Sequence, residues 1–183
     1  MIRTFFKRSR NYARDEEGSA SVEFVLIFPV YLALMIMSIE LGFVTLRGVM
    51  LERGMDMVVR DIRLGTADFL VDGKVQHQEV IDAVCENSLI LVDCRNSLRL
   101  EMAPSDLRAF SSLDTTVDCT NRAEPSEPVL ELGAPQANEL LLLRACLKYD
   151  PLFPKTALGS KLKTDDNGQT RIVSTTAFVR EPS

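Results

Sequence analysis

Few residues in this chain have the type and spacing to do chemistry. Four cysteines, Cys85, Cys94, Cys119 and Cys146, lie in the second half of the sequence. Their even number permits two disulfides, in any of three pairings. No Cys-x-x-Cys pair exists, and the only histidine, His77, stands in a polar stretch, so the pattern predicts no zinc site. A Gly-x-Ser-x-Gly string and a phosphate-binding loop are also lacking, and no catalytic residue or cofactor is expected. Asp165-Asp166-Asn167-Gly168 reads as turn chemistry. The most unusual ionisable residue is Glu23. It opens the run Phe24–Ile39, which no charge interrupts. A carboxylate at the edge of such a run is a functional candidate. It is equally a helix-start residue that favours the positive end of the helix dipole, and both readings stand at this point.

These residues need elements to position them. At about 1.5 Å per residue, Phe24–Ile39 spans roughly 24 Å, short of a bilayer core of about 30 Å, so its flanks must contribute. Extension over 22–46 takes in Glu23 near one end and Glu40 near the other. We expect one transmembrane helix over 19–46, in contact with the lipid bilayer. Arg3, Lys7, Arg8, Arg10 and Arg14 precede it, against Asp15, Glu16 and Glu17. That basic flank predicts a cytoplasmic N-terminus and an exported remainder, periplasmic in a bacterium. No A-x-A-like site follows the apolar segment, so a cleaved secretory signal fits poorly. The first 18 residues carry +2 and the rest −7 of the net −5, which excludes a nucleic-acid partner on charge.

Beyond the membrane, Leu51, Met55, Val58 and Ile62 recur at helical spacing, so the helix is expected to continue over 47–65 and stop at Gly65. Gly42, Gly48 and Gly54 admit a bend instead. A turn at Asp72-Gly73 and a short helix over 78–87 follow. The period then changes to two: Leu98, Leu100 and Met102 alternate with Arg99 and Glu101. A weaker strand is expected over 114–119 and a proline-bearing loop over 121–138. Residues 139–149 form the strongest strand pattern, and 170–179 the last. The expectation is an α+β chain: a long N-terminal membrane and spine helix, then an exported domain over 66–183 with a short helix and an antiparallel sheet, disulfide-bonded. Export makes two disulfides the natural state of the cysteines. Cys85 and Cys94 close a small loop between helix and strand, so we pair them, leaving Cys119 for Cys146.

The N-terminal motifs also carry a resemblance. The basic flank, Gly18, then Ser19-Ala20-Ser21-Val22-Glu23-Phe24 and an apolar helix is similar to a class III, prepilin-type leader. The longer string Glu17-Gly18-Ser19-Ala20-Ser21-Val22-Glu23-Phe24-Val25-Leu26-Ile27-Phe28-Pro29-Val30 resembles the TadE-like family of the tight-adherence (Flp) pilus machinery. So do Pro29 early in the helix and Ile39-Glu40-Leu41-Gly42 near its end. The resemblance covers about 14–45 and does not separate TadE-like from TadF-like proteins. It implies a minor pilin or pseudopilin whose leader, 1–18, is cut between Gly18 and Ser19 by a prepilin peptidase. It implies that Glu23, beside Phe24, pairs with the new N-terminal ammonium of a neighbouring subunit during assembly. The implied partners are that peptidase, other Tad/Flp pilins and the pilus-assembly platform. The implied places are the bacterial inner membrane and the extracellular pilus. From the residues alone, Ser38 and Gly42 make a small-xxx-small pair that permits close helix approach or simply faces lipid.

Overall fold

The computed structural model describes residues 19–66, 70–71, 74–105, 119, 138–162, 165, 167–179 and 181. The expected strand over 114–119 and loop over 121–138 fall almost wholly outside them. Cys119 itself is not in a strand, and Asn138 is in a turn with positive φ.

One helix, α1, runs from Ser19 to Leu64. It is long and apolar enough to cross a membrane. Pro29 lies inside it, and neither that proline nor Gly42, Gly48 and Gly54 interrupts it. It ends at Gly65, whose φ of +66° is the left-handed conformation glycine adopts without a Cβ penalty. A two-stranded ladder, β1 (Leu70–Val71) with β2 (Lys74–Val75), brackets the expected turn. Helix α2 (His77–Glu86) starts one residue earlier than its sequence pattern predicts. A single turn, α3 (Cys94–Ser97), precedes β3 (Leu98–Pro104). Strands β4 (Leu140–Tyr149) and β5 (Thr170–Val179) complete an antiparallel sheet of order β3-β4-β5.

The architecture is the α+β arrangement expected of the sequence, a long N-terminal helix followed by a small domain. Leu51, Met55, Val58 and Ile62 of α1 meet Val80, Ile81 and Val84 of α2 in the core. Leu98, Leu100 and Met102 of β3 pair with Leu147, Ala145 and Leu143 of β4. Their shared face supplies the rest of that core, with Phe178 of β5. The period-two alternation therefore names the inner face correctly. The other face of β4 is also buried. There Arg144 and Glu101 are opposite one another in register and ion-paired, and Cys146 is joined to Cys119. Losing one partner of so buried a pair leaves an uncompensated charge, at a cost of about 3–5 kcal/mol. The second disulfide, Cys85–Cys94, ties the end of α2 to α3. Each such crosslink contributes about 2–4 kcal/mol.

Helices α1 and α2 touch closely at Gly54. A Cβ there would lie 2.2 Å from Ser88 Oγ and 2.7 Å from the Val84 carbonyl oxygen, whereas one at Gly48 would meet nothing within 4 Å. Ser88 Oγ donates to the Met50 carbonyl at 2.9 Å, locking the turn after α2 against α1. We predict that Gly54→Ala destabilises the domain by about 1–3 kcal/mol through this overpacking. Gly48→Ala should be neutral or stabilising by up to about 1 kcal/mol through helix propensity. Thermal unfolding of the two detergent-extracted variants reads the difference.

Candidate functional site: the point where the helix enters the domain

The side of α1 that meets the domain changes abruptly. No residue from Ala20 to Ile39 is buried. Glu40, the next residue, has no exposed surface. What covers it is the loop after β4. The Glu40 carboxylate accepts the backbone N–H groups of Leu152 at 3.2 Å and Phe153 at 2.9 Å. Asp150-Pro151 ends β4 because proline cannot continue the ladder, and the chain turns directly onto the helix. Two N–H groups freed by that turn find one ionised acceptor. Hydrogen bonds to a charged group contribute about 1.5–3 kcal/mol each, which offsets the cost of burying the carboxylate.

Two turns further along the same side of α1, the Arg47 guanidinium lies 4.5 Å from the centroid of the Tyr149 ring. Such a stack contributes about 0.5–2 kcal/mol. Burial pushes the Tyr149 phenol above its usual range; Arg47 opposes that shift and Glu40 reinforces it. Glu40, Arg47 and Tyr149 thus form one cluster joining α1 to the end of β4. The loop itself closes around Gly159, where a Cβ would lie 2.2 Å from the Phe153 carbonyl oxygen.

The far end of the loop is held by Asp165. Its carboxylate accepts Lys148 Nζ at 2.8 Å and the backbone N–H groups of Asn167 and Gln169. Gly168 follows with φ of +78°. The expected Asp-Asp-Asn-Gly turn is therefore built by the first aspartate. The bond from Lys148, with smaller help from the backbone, holds the Asp165 carboxyl below its usual range.

The remaining sequence candidates lie elsewhere. Ser19 begins α1, and Gly18 precedes the described residues. Glu23 is exposed and makes no hydrogen bond or ion pair among the described residues. Phe24 stacks on Phe28 with ring centroids 4.8 Å apart. Gly42 faces open space, and Ser38 Oγ donates to the Leu34 carbonyl within its own helix. His77, at the start of α2, is held below the usual imidazole range by burial and by Arg99. No group of three metal-ligating side chains occurs among the described residues.

Residues 18–60 match the family of TadE-like proteins. The resemblance read from the N-terminal motifs holds over that stretch. It takes in Glu23, Pro29, Glu40 and Gly42 and stops before the disulfide-bonded domain. Comparisons with curated proteins and with solved structures found no match.

Reading the sequence alone placed Glu40 near a membrane boundary but missed what it binds. The available signal was a carboxylate in an apolar helix together with a proline-terminated strand.

Glu40→Ala should destabilise the domain by about 2–5 kcal/mol, because both N–H groups lose their acceptor. Faster hydrogen exchange confined at first to Leu152 and Phe153 is the expected signature. Glu40→Gln, which keeps one acceptor oxygen, should fall between. For Asp165 the folded carboxyl is the stronger acid, so its contribution is present above the ordinary carboxylate range and is lost as pH falls through the folded value. Urea unfolding from pH 7 to pH 3 should show the wild-type advantage over Asp165→Asn shrinking as pH falls below about 4.

Proposed function

We propose that this chain is a minor pilin- or pseudopilin-like component of Tad (Flp) pilus assembly, with a structural and interaction role and no catalysis of its own. The observation that carries the reading is the length of uncovered helix. Residues 20–39 span about 30 Å, the thickness of a bilayer hydrocarbon core. Val22, Phe24, Val25, Leu26 and Ile27 are each more than half exposed, a surface that water does not tolerate over such a length. The membrane span then ends at Glu40, six residues earlier than the sequence pattern suggests, and the domain begins there.

In this reading residues 1–18 are a cytoplasmic leader removed by a prepilin peptidase. Ser19 becomes the first residue and Glu23 the fifth. The exposed carboxylate of Glu23 sits near the lipid boundary, where a cationic partner lowers its cost. A neighbouring subunit's N-terminal ammonium supplies that charge and sets the helix register. The two disulfides suit a periplasmic or extracellular domain. Other Tad pilins and the inner-membrane platform are the partners.

Intact mass of the membrane-extracted protein tests the leader. An N-terminus at Ser19 is the expected result. A chain retaining residues 1–18 would overturn the pilin reading in favour of a permanently anchored protein with a partner-binding domain. Glu23→Ala should leave cleavage intact and reduce piliation, counted by electron microscopy. Normal piliation in that variant would remove the proposed charge pairing.

A further inference from the structure

The sheet has two edges, and they are unlike. Strand β3 forms one. It carries Arg99, Glu101 and Pro104, and charge and proline are the usual means by which an edge strand is kept from pairing further. Strand β5 forms the other. From Ile172 to Val179 it reads Ile-Val-Ser-Thr-Thr-Ala-Phe-Val, with no charge, no proline and no glycine. Most of these residues are β-branched or aromatic, the types that favour strands. An edge strand turns the N–H and C=O of every second residue away from its neighbour. Between Ile172 and Val179 those outward groups receive no backbone bond among the described residues, and the ladder to β4 is the only one this stretch makes there. Side-chain burial alternates along the strand. Ile172 packs on the core and Phe178 lies within it, whereas Val173 and Val179 are 40% and 43% exposed.

The direction of β5 limits what can pair with it. Tyr149, under the Arg47 guanidinium, is opposite Thr170 at the start of β5. Glu181, just past its end, bonds to Arg63. Strand β5 therefore runs beside α1 in the same sense, about 30 Å of strand against about 24 Å of helix. With α1 anchored at its start, β5 points away from the membrane. A second copy in the same membrane has its own β5 pointing the same way, so the two strands could pair only in parallel. In a parallel ladder each residue bonds those before and after the one opposite, and a twofold axis along the strands cannot build that stagger. The second copy's other edge is the guarded one, β3. An antiparallel strand makes the stronger ladder and continues the pattern of β3, β4 and β5.

We propose that β5 takes up a further strand, an extended and uncharged segment of about eight residues from a different protein, antiparallel to Ile172–Val179. Its apolar side chains lie beside Ile172 and Phe178, and β-branched ones lie beside Val173 and Thr175 on the open face. The choice of a different protein rests on the membrane-anchored reading above; the added strand rests on the edge itself.

Photo-cross-linking in cells that make the full chain tests this. Benzoylphenylalanine is placed in turn at Val173, Thr175 and Ala177, on the exposed side of β5, with exposed Glu79 on α2 as the control position. The expected result is adducts from the three strand positions to one peptide of a different protein, at sites two residues apart and in reverse order, and none from Glu79. An antiparallel ladder imposes that order. Thr175→Lys with Ala177→Lys should lower the adduct from Val173 on the order of tenfold or more, because lysine on an edge opposes further pairing. Both side chains are exposed, so unchanged thermal unfolding separates lost pairing from lost folding. A synthetic peptide of the cross-linked sequence, added to the detergent-extracted protein, should slow amide exchange at every second residue of Ile172–Val179. Adducts to a second copy of this chain, adducts in forward or scattered order, no adduct above the Glu79 control, or exchange unchanged by the peptide would each overturn the proposal. The mass at Ser19 is read on the same sample. Cleavage without ordered adducts removes this inference and leaves the pilin reading; ordered adducts on an uncleaved chain do the reverse.

Discussion

The structure turns on one carboxylate. Glu40 belongs to a helix that is uncovered on one side of it, over 20–39, and packed on a folded domain on the other. A buried charge in a helix is ordinarily a liability. Here it is neutralised in effect by two backbone N–H groups that the Asp150-Pro151 turn has just freed. The same bonds that satisfy the charge fasten the sheet to the helix at its lower end. Ser88 to Met50 and the core contacts of Leu51, Met55, Val58 and Ile62 fasten it above. The Arg63–Glu181 pair closes the top at 3.2 Å, but both side chains are about half exposed and such pairs contribute little. Attachment is therefore strongest at the membrane end and in the core, and weakest where the chain leaves the helix.

Much of the fold was legible in the sequence because its elements are strongly periodic. The alternation Leu98, Leu100, Met102 identified the inner face of β3, and the same logic gave Leu141, Leu143, Ala145 and Leu147 on β4. Hydrophobic spacing on α1 gave the domain-facing side, and Gly65 gave its end. What was not legible depends on contacts between residues far apart in the chain. Glu40 and Phe153 are separated by 113 positions. No local pattern announces that a glutamate in an apolar run will receive the N–H groups of a distant loop. The burial of Arg144 has the same origin. Its alternation on β4 suggests a solvated face, yet register places it beside Glu101, and the pair lies buried under a face that also bears the Cys146 disulfide. Short elements such as β1, β2 and α3 escaped because two to four residues give no period to read.

The candidate site divides in the same way. Gly18, Glu23 and Pro29 were visible as a motif, because a motif is read from spacing along the sequence alone. The change at Glu40 is invisible to composition, since Leu41, Phe43, Val44 and Leu46 are as apolar as the residues before them. Apolarity alone does not distinguish a residue facing lipid from one facing a domain or a partner helix. Burial does: Glu40 and Leu51 are fully covered, while Val25 and Leu26 are about two-thirds exposed.

One helix thus carries apolar surfaces of different kinds, one uncovered all round before Glu40, and beyond it one sealed and one open. Before Glu40 apolar residues lie on every side of the helix, interrupted by Ser21, Glu23 and Ser38, and none of them is buried. Above Glu40 the apolar residues separate into two stripes, one sealed by the protein's own sheet and one left open. A stripe in water carries an energetic penalty for every exposed side chain. The residues from Met50 to Leu64 thus present one side to the protein's own core, through Leu51, Met55, Val58 and Ile62, and leave Met57 and Leu64 exposed on another.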